Sequence, residues 1–193
     1  MNRTVFLIGI GTLLFFGLGG IWLIDIWHER SFAEIAFRGL SWYWQLLIGL
    51  AAGTLSALMA QALINSPFFR KQKAHYYKLI ATRIPLNYPV IIFLSLCAGI
   101  GEEIFFRAAL QPLIGLWLTS FIFVALHGYF SLSTYSISVY GLLMLLIIAG
   151  FGYMFRYLGL LSAIIAHSMF DFILFQSIYR ARIGGLPDQQ DRE

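Results

Sequence analysis

The chain has 193 residues, of which 60% are hydrophobic and only 11% are charged, and its formal net charge is +4. A soluble domain has about 25% charged residues, so this composition excludes a soluble protein and indicates a polytopic membrane protein. The positive charge does not require nucleic acid as a partner, because basic loops set the orientation of membrane proteins. The single cysteine, Cys97, excludes a disulfide within the chain.

Six apolar segments are candidates for membrane spans, since a spanning helix needs about 20 mostly apolar residues. They cover residues 4–27, 41–65, 88–111, 114–130, 134–155 and 158–179, and the fourth is the shortest. The first has no small-residue cleavage site and is expected to be retained. Lipid excludes open sheet edges, so the predicted fold is an all-α bundle of about six transmembrane spans with a polar site inside.

Three regions are expected along the chain. Residues 1–87 hold two N-terminal spans and a basic connection, residues 88–180 hold the helical core that carries the chemistry, and residues 181–193 form a polar tail. The basic connection mixes aromatic residues with cations. That composition suits a helix lying in the headgroup region on anionic lipid and a plain cytoplasmic loop about equally.

Lysines and arginines outside the spans fall mostly on one side of a six-span bundle. Nine lie on the side of the two termini: Arg3, Arg70, Lys71, Lys73, Lys78, Arg83, Arg180, Arg182 and Arg192. Three lie on the other side: Arg30, Arg38 and Arg156. The positive-inside rule therefore predicts that both termini are cytoplasmic, with the cell membrane as the expected location.

Ionisable residues also occur inside three of the predicted spans: Glu102, Glu103, Arg107, His127, His167 and Asp171. Each charge at the centre of a membrane costs about 2.5–3.5 kcal/mol on insertion scales, and such groups usually mark function. Glu103 and Arg107 are four residues apart and share a helix face, whereas Glu102 points about 100° away. One ion pair can be structural, but the additional histidines and carboxylates indicate a polar pocket that holds water.

Such a pocket has the groups that hydrolysis requires. A carboxylate and a histidine that share a water can deprotonate it for attack on a carbonyl, and a second histidine with an oriented donor can stabilise the oxyanion. His167 and Asp171 are four residues apart, so the carboxylate can orient the ring. Asp25 lies near the end of its span between Trp22 and Trp27, where an interfacial position is expected.

Other interpretations of these residues remain open. Glu102, His127 and His167 could form a three-ligand zinc site with an open position, although the chain lacks the HExxH motif of many zinc proteases. The polar cluster could also serve a proton path, or stabilise a scaffold that binds another membrane protein. Cys97 is five residues from Glu102 and on a different helix face, which argues against a cysteine protease.

Three short motifs contain most of these residues: "EEIFFR" from Glu102 to Arg107, "FVALH" from Phe123 to His127, and "HSMFD" from His167 to Asp171. In this order and on separate predicted helices, they resemble the CAAX protease and bacteriocin-processing family of intramembrane proteases. That family is also called the type II CAAX prenyl endopeptidase or abortive-infection family. The resemblance covers residues 88–179, and it departs from the family pattern at Asp171, where asparagine is common.

The resemblance implies an intramembrane endopeptidase that hydrolyses a peptide or membrane-protein substrate without a cofactor. Glu102 and His127 would activate the water, and His167 and Asp171 would lie at the oxyanion side. Glu103, Arg107 and Phe123 would support the site. An ionised Asp171 would be a poor oxyanion donor, so it is expected to stay protonated or to orient His167. The alternative implied function is a non-proteolytic scaffold or immunity-type protein that binds another membrane protein.

Simple straight spans leave one geometric problem. At about 1.5 Å per residue, Glu102 falls near or beyond the middle of the membrane from the basic side, while His127 falls nearer the basic face. The two side chains must meet for the hydrolytic interpretation to hold. We therefore expect the third span to start later, to bend near Gly99 and Gly101, or to sit deeper. We also expect a water-filled cavity that opens to the basic side.

Overall fold

A computed structural model of the protein describes residues 3–69, 84–130 and 135–183. Over these residues the secondary structure is helical and contains no strand. In chain order the helices are α1 (Arg3–Trp27), α2 (Phe32–Ala36), α3 (Trp42–Ile64), α4 (Tyr88–Ile114), α5 (Leu116–Leu126), α6 (Tyr135–Tyr157) and α7 (Leu160–Ile183). Five of them are long and apolar enough to cross a membrane, and α5 is a shorter apolar helix. The predicted all-α polytopic bundle is confirmed.

Local sequence signals start two of these helices. Helix α4 begins after Asn87, whose side chain accepts a hydrogen bond of 3.0 Å from the backbone of Val90. The five-residue helix α2 begins at Ser31, where Ser31 and Glu34 form a reciprocal capping box. This short helix was not among the predicted elements.

Glycines allow the helices to approach one another closely, as is usual in membranes. Helix α3 packs along α7 through Gly49 and Gly53. A Cβ atom at Gly53 would lie 2.9 Å from the Cβ of Met169. Helix α1 packs on α4, where a Cβ at Gly101 would lie 3.0 Å from the Cα of Leu13. The N-terminal spans therefore pack directly against the helices that carry the predicted site residues.

Helices α4 and α5 form a tight hairpin at Gly115, whose φ of 86° lies in a region that favours glycine. Helix α5 then runs for only 11 residues and ends at Leu126, although residues 114–130 were predicted to span. The fourth predicted span is thus too long, and the third extends to Ile114 instead of ending at residue 111. Hydropathy misled here because the non-helical residues after His127 include two aromatic rings and continue the apolar pattern.

Helix α4 is regular up to Glu103 and continues as a wider π-helical stretch over Ile104–Leu110. The irregular part of this span therefore follows Gly99 and Gly101, where a bend was one of the expectations. Helix α1 has a similar stretch at Leu13–Leu18, and it packs on α4. Interruptions of this kind are frequent at functional sites.

Because successive spans cross in alternating directions, each end of the bundle contains segments from different parts of the chain. Val5 at the start of α1, Val90 at the start of α4 and Ile178 near the end of α7 share one apolar cluster. Arg30, Arg38 and Arg156 surround a cavity at the other end. The side of the membrane that each end faces stays a prediction. The basic connection from Arg70 to Arg83 and the tail from residue 184 lie outside the described residues.

The glycine packing predicts different effects for two Gly→Ala substitutions. Gly53→Ala should lower the free energy of unfolding by about 1–3 kcal/mol, because its new methyl group meets Met169 and the backbone of Ala166. Gly150→Ala in α6 is the matched control, since a Cβ there has no heavy atom within 4 Å, and it should leave stability unchanged or raise it. Thermal unfolding of both variants in one detergent measures the difference, and equal midpoints would contradict the packing.

Candidate active site

The structure brings the seven predicted site residues into one connected cluster. Helix α4 carries Glu102, Glu103 and Arg107, and helix α7 carries His167 and Asp171. Helix α5 carries Phe123, and His127 directly follows its last residue, Leu126. Each of these side chains contacts at least one other member of the set.

A fully buried ion pair forms the base of the cluster. Arg107 and Glu103 both have a relative exposure of 0%, and Arg107 Nε donates to Glu103 Oε2 over 3.1 Å. Arg107 Nη1 lies 3.4 Å from Gln111 Oε1 and 3.3 Å from Ser120 Oγ. The guanidinium carbon also lies 5.8 Å from the centre of the Phe123 ring. These contacts join α4 to α5 around one charge.

Sequence reasoning missed two partners of this ion pair, Gln111 and Ser120. Gln111 follows Arg107 by four residues, which is a spacing that places both on one helix face. Its amide also donates to the carbonyl of Gly152 over 3.0 Å and so connects α4 to α6. Ser120 gave only a weak signal, because a serine in an apolar helix often bonds to its own backbone.

His167 is held by the same ion pair. Its Nδ1 lies 2.9 Å from Glu103 Oε1, and a carboxylate paired with arginine can only accept, so Nδ1 carries a proton. Nε2 then faces Asp171 Oδ2 at 3.6 Å and Glu102 Oε2 at 4.0 Å. The hydrogen bond that orients this ring is therefore the one that Nδ1 donates to Glu103, while Asp171 approaches the opposite nitrogen.

His127 is positioned by the end of α5. Its Nδ1 donates to the carbonyl of Phe123 over 2.8 Å, and the two rings stack with centroids 4.4 Å apart. A carbonyl can only accept, so in the neutral ring Nε2 carries no proton and can receive one. Nε2 lies 3.6 Å from Glu102 Oε2, and 35% of the His127 side chain is exposed. His127 is thus more open to solvent than Glu102, His167 or Asp171.

Glu102 lies between the two histidines. Its side chain is 10% exposed, and its Oε2 is buried without a hydrogen-bond partner among the described residues. The distances from this oxygen to the Nε2 atoms of His127 and His167, 3.6 and 4.0 Å, are too long for direct hydrogen bonds. Separations of this size are those across which a water can bridge polar groups.

The α4–α5 hairpin explains how Glu102 and His127 reach the same depth. Glu102 lies thirteen residues before Gly115 and His127 lies twelve residues after it, so both are roughly 18–20 Å from the turn along their helices. Because α5 stops there, the backbone from Gly128 to Phe130 is non-helical. Such backbone is tolerated at membrane depth only where protein buries it or it lines a water-filled cavity.

The metal-site and cavity geometry of the described residues adds no further residue to the cluster. Within residues 3–69, 84–130 and 135–183, no set of three or more His, Cys, Asp or Glu side chains is placed to hold a metal ion. Cys97 is buried and has no disulfide partner. Two cavities among the described residues are lined by other side chains, and a water-filled cavity open to the basic side stays a prediction.

Comparison with known proteins gives a match to a family and a short stretch of similarity to a relative. Residues 84–173 match the family described as type II CAAX prenyl endopeptidase Rce1-like. All three motifs lie in this range, so the resemblance is confirmed, and it supports a protease-type enzyme in the membrane. A 39-residue stretch is 56% identical to the uncharacterized protein YpbD of Bacillus subtilis (strain 168), covering 20% of this chain and 21% of that protein. No solved structure matches the chain.

The cluster predicts opposite stability effects for two neighbouring substitutions. Glu103→Gln should lower the free energy of unfolding by about 3–5 kcal/mol, because it leaves Arg107 buried without a counter-charge. Glu102→Gln makes the same chemical change one residue earlier and should leave stability unchanged or raise it, because Oε2 has no hydrogen bond to lose. Thermal unfolding of the two variants measures the contrast. Equal losses would show that Glu102 is as tightly paired as Glu103.

Proposed function

Because residues 84–173 match the type II CAAX prenyl endopeptidase Rce1-like family, we propose that the protein is an intramembrane endopeptidase in which Glu102 and His127 activate a water molecule. The observation that carries the proposal is the Oε2 of Glu102, which has no hydrogen-bond partner among the described residues and faces the Nε2 atoms of His127 and His167. An ion pair with a purely structural role does not require a second buried carboxylate aimed at two imidazole rings. A site for general-base catalysis does.

The water would be held between Glu102 and His127. Both offer acceptors, since Nδ1 of His127 is committed to the Phe123 carbonyl and leaves Nε2 free of a proton. As the water oxygen attacks the peptide carbonyl, Glu102 takes its proton. The same carboxyl then protonates the departing amine when the C–N bond breaks, so that Glu102 serves as base and then as acid.

His167 is the proposed donor to the oxyanion. For that role it needs a proton on Nε2 as well as on Nδ1, and Glu103 and Asp171 supply counter-charges on its two nitrogens. A positively charged, buried and fixed donor is well suited to a negative charge that develops during reaction. Asp171 would act through His167, as a positioning residue, because a carboxylate cannot itself donate when ionised.

The substrate would be a peptide segment that reaches the site within the membrane. His127 is the most exposed member of the cluster, so we propose that the scissile bond approaches Glu102 from the side of α5. In the orientation that the basic residues predict, both termini are cytoplasmic. Apart from the peptide substrate, the proposed partner is the lipid bilayer, and we propose no role for nucleic acid.

The proposal predicts that Glu102→Gln and His127→Ala each lower kcat by at least about 100-fold, because either change removes one of the two groups that hold and deprotonate the water. Cleavage of a mixed peptide library by purified protein in detergent measures the effect. Glu34→Gln is a matched control, since Glu34 is an exposed carboxylate in the α2 capping box, and it should keep wild-type activity.

A chelator arm in the same assay separates the glutamate mechanism from a metal mechanism. Cleavage that persists in chelator and disappears in both variants would support the proposal. Cleavage lost to chelator and restored by zinc would contradict it and favour a zinc site. A folded wild-type protein that cleaves nothing would favour the scaffold function.

Substitutions at His167 and Asp171 of α7 are predicted to distinguish the oxyanion donor from the residue that positions it. His167→Ala should lower kcat by about 100- to 1000-fold with little change in KM, because it removes an oxyanion donor. Asp171→Asn should retain more activity than Asp171→Leu, since the amide oxygen can still accept a hydrogen bond from the ring although the counter-charge is lost. Asp25→Asn, near the end of α1, is the control for the charge change. If Asp171→Asn lowers kcat as much as His167→Ala does, Asp171 is more than a positioning residue.

A further inference from the structure

The peptidase proposal leaves two cavities unexplained, both at the end of the bundle farthest from Arg3. The first has a volume of about 860 Å³ and is lined by three arginines, Arg30, Arg38 and Arg156. Two aromatic side chains, Trp27 and Tyr157, stand at its edge and are 66% and 65% exposed. Aromatic residues of this kind are enriched where a membrane meets water.

The three arginines have no carboxylate partner within 4 Å among the residues that the structure describes. Arg156 instead lies 5.6 Å over the ring of Tyr157. Glu29 is the one acidic residue on the cavity wall, so the wall carries a net positive charge. A guanidinium presents a planar fork of donors that matches phosphate oxygens, and basic pockets between membrane helices bind lipid headgroups.

The second cavity is apolar and adjoins the first. Its volume is about 560 Å³, and its walls include Phe32, Leu40, Ile100 and Ile104. Gly39 lines both cavities. Helix α2 stands between them, with Ile35 toward the arginines and Phe32 and Ala36 toward the apolar groove.

We propose that these two neighbouring cavities together bind one phospholipid with an anionic headgroup. The phosphate would lie against Arg30, Arg38 and Arg156, and one acyl chain would pass beside α2 into the apolar groove. A free phosphate would use the arginines and leave the groove without a role. The apolar groove lies next to the arginines, with Gly39 in the wall of both cavities, and this arrangement favours the lipid. This site is separate from Glu102 and does not depend on the proposed peptidase activity.

The test uses delipidated full-length protein in a non-ionic detergent and measures bound lipid by native mass spectrometry. Phosphatidylglycerol should bind at one molecule per chain and more tightly than phosphatidylcholine with the same acyl chains. Arg38→Gln and Arg156→Gln should each weaken this binding about fivefold, as expected for loss of one cation near a lipid surface. Arg38→Lys should weaken it less, and it guards against a folding artefact.

Arg180→Gln and Arg182→Gln are matched controls at the opposite end of the bundle, in the last turn of α7, and should bind as the wild type does. Ala36→Trp should reduce lipid binding by filling the groove. The proposal is overturned if Arg38→Gln and Arg156→Gln bind normally, or if the α7 controls weaken binding equally. Inorganic phosphate that displaces the lipid at an equal concentration would assign the arginines to a free anion and contradict the lipid site.

Discussion

The guanidinium of Arg107 is fully buried in a bundle of apolar helices, and everything around it must compensate for that charge. Glu103 supplies the counter-charge, and Gln111 and Ser120 lie within hydrogen-bond distance. Through Glu103 the network also holds His167 on α7. The rotation of three helices about their axes is thereby fixed. Glu102, one residue from Glu103, is turned out of the network and toward the two imidazole rings.

Short helix α5 has an equally direct consequence. Because α5 starts at the Gly115 turn, His127 lies beside Glu102, and the helix of 11 residues ends at that point. The carbonyl of Tyr129 then packs against Gly141 of α6, where a Cβ atom would collide with it. The chain thus leaves the helix at membrane depth with protein against its backbone, which is the condition under which such backbone is tolerated.

Hydropathy and spacing predicted much of the fold from the sequence. Five spans were located to within about four residues because long apolar runs are a strong signal, and the pairing of Glu103 with Arg107 followed from their spacing. The end of α5 was missed because Tyr129 and Phe130 continue the aromatic, apolar pattern beyond His127. The contact between Glu103 and His167 joins residues 64 apart, and no local pattern reports it. The capping box of Ser31 and Glu34 indicates the start of helix α2 in the sequence, but this helix was not predicted.

The proposed mechanism requires that Glu102 and His127 share a water inside the bundle. A crystal structure at a resolution that shows ordered waters would reveal it. We expect a water within about 2.6–3.2 Å of both Glu102 Oε2 and His127 Nε2, reached from the partly exposed side of the imidazole. A direct hydrogen bond between the two side chains, with no water between them, would contradict it and return Glu102 to a structural role.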